Sequence, residues 1–173
     1  MPDVLILPGA LYGPYSPLPW FAAEVAERRG GTLHRHTWSR TPDRNAPEEF
    51  VRGEVVPLIE GRRPLVIAKS LGTLAAGLCA ERALPAVWLT PLLTAHGGLP
   101  ALAGAPAPFL LVGGTADPSW DGALAHRLTP HVLEVEGADH AMAMPGPVRD
   151  TVAVLARVVD AVEDFLEAIA WPS

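Results

Sequence analysis

The 173-residue chain has one cysteine and one lysine. A lone Cys79 excludes an internal disulfide and a cysteine-rich zinc cluster. The 13 cations never run longer than the pairs Arg28-Arg29 and Arg62-Arg63, and with 19 acids the net charge is −6. A basic footprint for nucleic acid is therefore missing. No apolar run approaches the roughly 18 residues that a membrane span needs. No Lys or Arg precedes Arg28, so the basic region of a secretory signal is lacking as well. These absences give the expectation of a cytoplasmic protein without nucleic-acid or membrane partners. The 16 glycines and 19 prolines stay below the share, roughly 25–30%, that marks low complexity. The sequence does have 49% apolar residues and only 18% charged ones, a composition for one globular domain over residues 1–173.

Short apolar runs alternate with helical patterns. Val4–Leu7 reads as a buried strand that ends at Pro8-Gly9. In the helix that follows, Leu18, Phe21, Ala22, Val25 and Ala26 share one face, and Gly30-Gly31 stops it. Residues 32–38 form a more polar strand, suited to a sheet edge. A loop rich in Pro, Asp and Asn spans 41–46. A helix over 47–60 turns Val51, Val55, Leu58 and Ile59 inward. Further strands are expected at 64–68, 87–89, 109–112 and 131–135. Helices are expected at 71–82, 119–127 and 147–169, the last with a stripe of Leu155, Val158, Val159, Val162, Leu166 and Ile169. The segment 91–107 is a loop of Pro, Gly, Ala and Leu. Repeated strand–helix alternation predicts an α/β fold of three layers, α/β/α, around a mostly parallel sheet of about six strands. Ligands in such sheets sit at the carboxyl ends of the strands.

Three strand ends carry chemistry. After the third strand comes Ala68-Lys69-Ser70-Leu71-Gly72, similar to the nucleophile elbow Gly-x-Ser-x-Gly with alanine at its first glycine. Small residues two positions to either side let the tight turn lift the serine hydroxyl clear of the sheet. The plainer alternative is a serine cap on a buried helix. After the fifth strand, Gly113-Gly114-Thr115-Ala116-Asp117 offers an acid, and after the sixth, Gly137-Ala138-Asp139-His140 offers a base. Each has a plain alternative: a turn aspartate before Pro118, and a loop histidine with no role. Asp121, within the short helix, and Asp139, adjacent to the histidine, are rival acids. Asp117 is preferred because neighbouring side chains on a loop seldom face each other.

The order Ser70, Asp117, His140, each after a strand, resembles that of the α/β hydrolases over residues 3 to about 169. The resemblance implies a Ser-His-Asp triad with an oxyanion hole of two backbone amides. One is Leu71, directly after the nucleophile. The other is Ala10, in the Pro8–Gly13 loop after the first strand, with Leu11 next in line. It implies hydrolysis of a small ester or thioester through an acyl-enzyme, with a small-molecule acyl substrate and no cofactor or metal, in a monomer or homodimer. The superfamily commonly has two more strands at the N-terminus and a cap after the fourth strand here. This chain is expected to lack both, leaving the 91–107 loop as lid over a shallow, open site. Two further function classes stay open: a lyase or cyclase on the same scaffold, and a binding module with a vestigial triad.

Other residues have two readings. Leu11, Tyr12 and Trp120 are substrate-binding candidates, with Tyr15, Trp20 and Phe21 either lining an apolar pocket or packing in the core. His96, in the 91–107 loop, is a further substrate contact. Lys69 either packs away from the attack site or hydrogen-bonds a neighbouring loop and holds the rim together. His34 and His36 share a strand face, where a solvated edge strand outweighs a metal pair without a third ligand.

Overall fold

A computed structural model describes residues 1–42 and 45–172. Positions 43 and 44 of the expected 41–46 loop lie outside the described residues. Six parallel strands make one sheet: β1 (Asp3–Leu7), β2 (Thr32–Arg35), β3 (Leu65–Lys69), β4 (Ala86–Leu89), β5 (Phe109–Gly114) and β6 (Val132–Val135). The helices are α1 (Pro17–Arg28), α2 (Pro47–Ile59), α3 (Ala76–Arg82), α4 (Gly122–Leu128) and α5 (Val148–Ala168). Short 3₁₀ segments occupy Ser70–Ala75 and Pro100–Gly104.

The strand order is β2-β1-β3-β4-β5-β6. The chain steps outward from β1 to β2, then returns to the other side of β1 with β3. The order reverses there, and the crevice above such a reversal is where open α/β sheets hold ligands. The register aligns Leu7 with Ala68, and Lys69 with Leu89, so the loops after β1 and β3 emerge side by side.

Strand alternation explains the two cores. Val4, Ile6, Leu65, Ile67, Val87 and Leu110 face α1 and α5, while Leu5, Leu7, Val66, Ala68, Trp88 and Leu111 face α2 and α3. Both faces are covered, so β1 and β3 are apolar nearly throughout. On α5, Val154, Val158, Val162, Phe165 and Leu166 are buried, each worth roughly 1.5–3 kcal/mol on transfer from water.

Several expectations change in detail. Phe21, assigned to the inward face of α1, is 44% exposed, and Trp20 is 36% exposed. Strand β2 is an edge strand but ends at Arg35, because beyond it the chain turns Trp38 toward the loop after β1. The segment 71–82 is not one helix. The Thr73 hydroxyl donates to the Ser70 carbonyl at 2.6 Å, and a tight 3₁₀ stretch precedes α3. Asp121 is not inside α4 but caps it, accepting from the Leu124 amide at 2.8 Å. The 91–107 segment is no lid. Leu92, Leu93, Leu99 and Leu102 are buried in the core shared with α2 and α3.

Candidate functional site

The turn at Ser70 is built by contact. Ser70 has a φ of 49°, left-handed backbone that costs a non-glycine residue on the order of 1–3 kcal/mol. Two residues on, a Cβ at Gly72 would lie 2.7 Å from the Leu7 carbonyl oxygen and 2.8 Å from Leu7 Cβ. Only glycine lets the turn pass that close to β1. The first glycine of the elbow is under no such demand, and Ala68 is wholly buried in its place. Thr73, also fully buried, accepts from the Leu92 amide at 3.3 Å while holding the Ser70 carbonyl, so the turn is tied to the chain after β4.

Ser70, Asp117 and His140 converge. His140 Nε2 lies 2.8 Å from Ser70 Oγ, and His140 Nδ1 lies 2.7 Å from Asp117 Oδ2. A carboxylate only accepts, so Nδ1–H donates to Asp117, leaving Nε2 to accept from the serine hydroxyl. The Asp117 side chain is 1% exposed, and its other oxygen, Oδ1, accepts from the Ser119 amide at 2.8 Å. Both oxygens are thus engaged and the acid cannot swing away. The rival Asp139 uses Oδ1 within its own loop, accepting from the Ala141 and Ala143 amides at 2.8 and 2.9 Å. A turn over Gly114–Trp120 presents Asp117, with backbone bonds from Asp117 to Gly114 and from Trp120 to Asp117.

The loop after β1 lies against the serine. A Cβ at Gly9 would meet Ser70 Cβ at 3.5 Å. Ala10 follows in the wall of the neighbouring cavity, and Leu71 is the second residue of the 3₁₀ segment that starts at Ser70, where leading amides have no helical acceptor. Trp38 fixes this loop: its indole N–H is shared between the carbonyls of Pro8 and Gly9, at 3.2 Å each. Neither Trp38 nor Thr73 was suggested by the sequence. Their roles depend on elements that meet only in the fold, and no local spacing signals them.

A cavity of about 600 Å³ opens beside Ser70 and His140. Leu11 and Tyr12 line it, together with Leu18 and Pro17 at the start of α1, Met142 after β6 and Leu155 on α5. The wall is largely apolar. Lys69 belongs to it too, although it is only 9% exposed. Its ammonium donates to the His140 carbonyl at 3.3 Å, which bridges β3 to the histidine loop. Burial drives the lysine's pKa down, opposed by the fields of Asp117 and Asp139.

Other candidates stand elsewhere. Trp120 is buried, its ring so close beneath β5 that a Cβ at Gly113 would sit 2.1 Å from Cε3, and its indole N–H donates to Glu134 at 2.7 Å. It is absent from the cavity wall because the Asp117 turn folds it back under the sheet. His96 is exposed, with a φ of 53°, and lines a separate cavity with Pro47, Glu49 and Arg52. Tyr15 and Trp20 pack at a tilt outside the cavity, their rings 42° apart, with Arg35 over both. His34 pairs with Asp3 at 2.6 Å, and His36 with Glu54 at 3.2 Å. The His36 side chain is 11% exposed rather than solvated, and burial lowers its pKa against the pull of Glu54. Burial pushes the Cys79 thiol up to about 12, far from a reactive thiolate. No group of three metal-ligating side chains occurs among the described residues. None of the helices described is long and apolar enough to cross a membrane.

Neither a protein-family model nor a curated protein matches the sequence. Solved structures do match in fold. A protein described as a hydrolase of the alpha/beta superfamily, from Xanthomonas campestris pv. campestris, aligns with a TM-score of 0.70 at 22% identity, over 97% of this chain and 99% of its own. Est1E from Butyrivibrio proteoclasticus, solved with ferulic acid, gives 0.69 at 16% identity, over 98% and 90%. A Xanthomonas campestris a/b serine hydrolase described as without lid gives 0.63 at 12% identity, over 94% and 81%. The chain has the α/β-hydrolase fold, with its six strands all parallel.

Proposed function

We propose that this chain is a serine hydrolase that cleaves a small ester or thioester through an acyl-enzyme. The observation that carries the reading is the unbroken chain Ser70 Oγ, His140 Nε2, His140 Nδ1, Asp117 Oδ2 at the mouth of an apolar cavity. His140 takes the hydroxyl proton as Ser70 attacks the carbonyl carbon. Asp117 holds the imidazole tautomer and stabilises the cation that forms. The amides of Leu71 and Ala10 receive the oxyanion; losing one such donor costs about 3–4 kcal/mol in the transition state. His140 then gives its proton to the leaving alkoxide or thiolate. Water, deprotonated by the same histidine, attacks the acyl-enzyme; the Ser70 Oγ–acyl bond breaks, the acid leaves, and His140 returns the proton to Ser70 Oγ. Leu11 and Tyr12 contact the substrate's apolar part. Every step uses side chains and backbone of the chain itself, and the reading calls for no cofactor. A cytoplasmic setting and a monomer or homodimer accompany it.

Fold likeness to named hydrolases supports the reading without fixing the substrate. The test is hydrolysis of p-nitrophenyl acetate together with labelling by a fluorophosphonate. The wild type is expected to turn over the ester and to be labelled at Ser70, and Ser70→Ala to lose both. An unlabelled Ser70, or a Ser70→Ala variant with full activity, would overturn the assignment in favour of a lyase, a cyclase or a binding module.

A further inference from the structure

Lys69 is the one lysine of the chain, and it is nine-tenths buried in the wall of the cavity that holds Ser70. Its ammonium has three N–H donors. One reaches the His140 carbonyl, at a long 3.3 Å. No ion pair holds it among the described residues. Two acids act on it through their fields but at more than ion-pair distance: Asp117, whose two oxygens are engaged by His140 and the Ser119 amide, and Asp139, which lines the same cavity and accepts two amides of its own loop through Oδ1. The rest of the lining is dominated by apolar side chains such as Leu11, Leu18, Met142 and Leu155. A buried cation with no carboxylate in ion-pair contact gains from a further anion that takes its remaining donors. A carboxylate entering the cavity would do so through charge-assisted hydrogen bonds.

We propose that Lys69 forms a subsite for a carboxylate carried by the substrate, so that the ester cleaved at Ser70 is one arm of a dicarboxylic acid or a similar anionic acyl compound. The inference rests on the hydrolase reading and narrows it. Lys69 is the last residue of β3 and leads directly into Ser70, so one backbone segment sets both the anion's position and the nucleophile's. An apolar spacer between the two carbonyl groups would lie along Leu11 and Met142.

The probes are the monomethyl and dimethyl esters of glutarate, adipate and suberate, assayed by proton release. The monomethyl ester presents a carboxylate, and the dimethyl ester is its neutral counterpart of equal length. For at least one chain length the wild type is expected to prefer the monomethyl ester in kcat/KM, per ester bond, by roughly ten-fold or more. In Lys69→Met that ratio is expected to fall to about one. Calorimetric binding of the same pairs to Ser70→Ala gives the preference without turnover. Equal kcat/KM and equal binding of charged and neutral esters across the series would overturn the subsite while leaving the hydrolase reading intact. An unlabelled Ser70 with no ester turned over would overturn the hydrolase reading, and the binding ratio would still decide the subsite. Should Lys69→Met fail to fold, the wild-type ratios and the Ser70→Ala binding decide it alone.

Discussion

Gly72 and Asp117 carry the most local demands of the site. Any side chain at Gly72 would press on the Leu7 carbonyl, and backbone there cannot give way as a flexible side chain would. Gly72→Ala is expected to cost about 1–3 kcal/mol of stability, read by urea denaturation, and to lower ester turnover as the Ser70 turn shifts. Asp117→Asn keeps the shape of the acid but removes its demand for an Nδ1 proton. Its kcat on p-nitrophenyl acetate is expected to fall by about 10⁴-fold with the melting temperature little changed. At this scale Ser70, Asp117 and His140 were legible because each follows a strand at a small-residue turn. Trp120 was misread on the same grounds. Proximity in sequence to Asp117 said nothing of which side of the sheet its ring would take, and Gly113 opens the space beneath β5 instead.

Among the elements, the short edge strand β2 has an influence that its sequence hides. The chain leaving it brings Trp38 onto the Pro8 and Gly9 carbonyls. Trp38→Phe keeps the ring and loses the donor. Its kcat is expected to fall by about ten-fold with KM nearly constant, because the loop that holds the Ala10 amide is loosened. The same chain segment joins α2 through Glu54, which meets His36 and accepts from Ser39. His36 has a folded pKa below its ordinary 6.5, so the unfolded chain binds the proton first as pH falls. Stability is therefore full above pH 6.5 and declines as pH falls below it. Glu54, held below its ordinary 4.5 mainly by Ser39, adds a second loss once pH falls below about 4.5. Melting temperature followed from pH 7 to pH 5 should drop, and His36→Phe should flatten that slope. Equal slopes in both proteins would show that the pair is not responsible.

Across the whole molecule, both faces of the sheet carry helices, and α5 serves two ends. Its buried stripe closes one core, and Leu155 and Thr151 on the same helix reach the cavity wall. Leu166→Ala, at a fully buried position, is expected to cost 2–5 kcal/mol. Intrinsic fluorescence and circular dichroism should lose their signals in one coincident transition, since the two cores share every interior strand. Separate transitions would show that the α1–α5 face unfolds on its own. The cavity itself is bounded by the loops after β1 and β6 and by α1 and α5. The 91–107 segment contributes nothing to it. Its leucines, spaced like a loop with no period to mark them, pack inward with α2 and α3.

The sequence by itself determined the alternation of strands and helices, the parallel sheet and the three strand ends that hold Ser70, Asp117 and His140. Those features are written in local terms: apolar periodicity, glycine and proline at boundaries, small residues beside a turn. Only the tertiary structure decided which side chains face the cavity, because that depends on strand register and on contacts between residues far apart in the chain. It sent Trp120 beneath the sheet and His96 to another cavity, recruited Trp38 and Thr73, and packed the leucines of the 91–107 segment into core. It also gave the lone lysine its place, since composition counts a cation but only the fold can bury one beside Ser70 in the wall of a cavity.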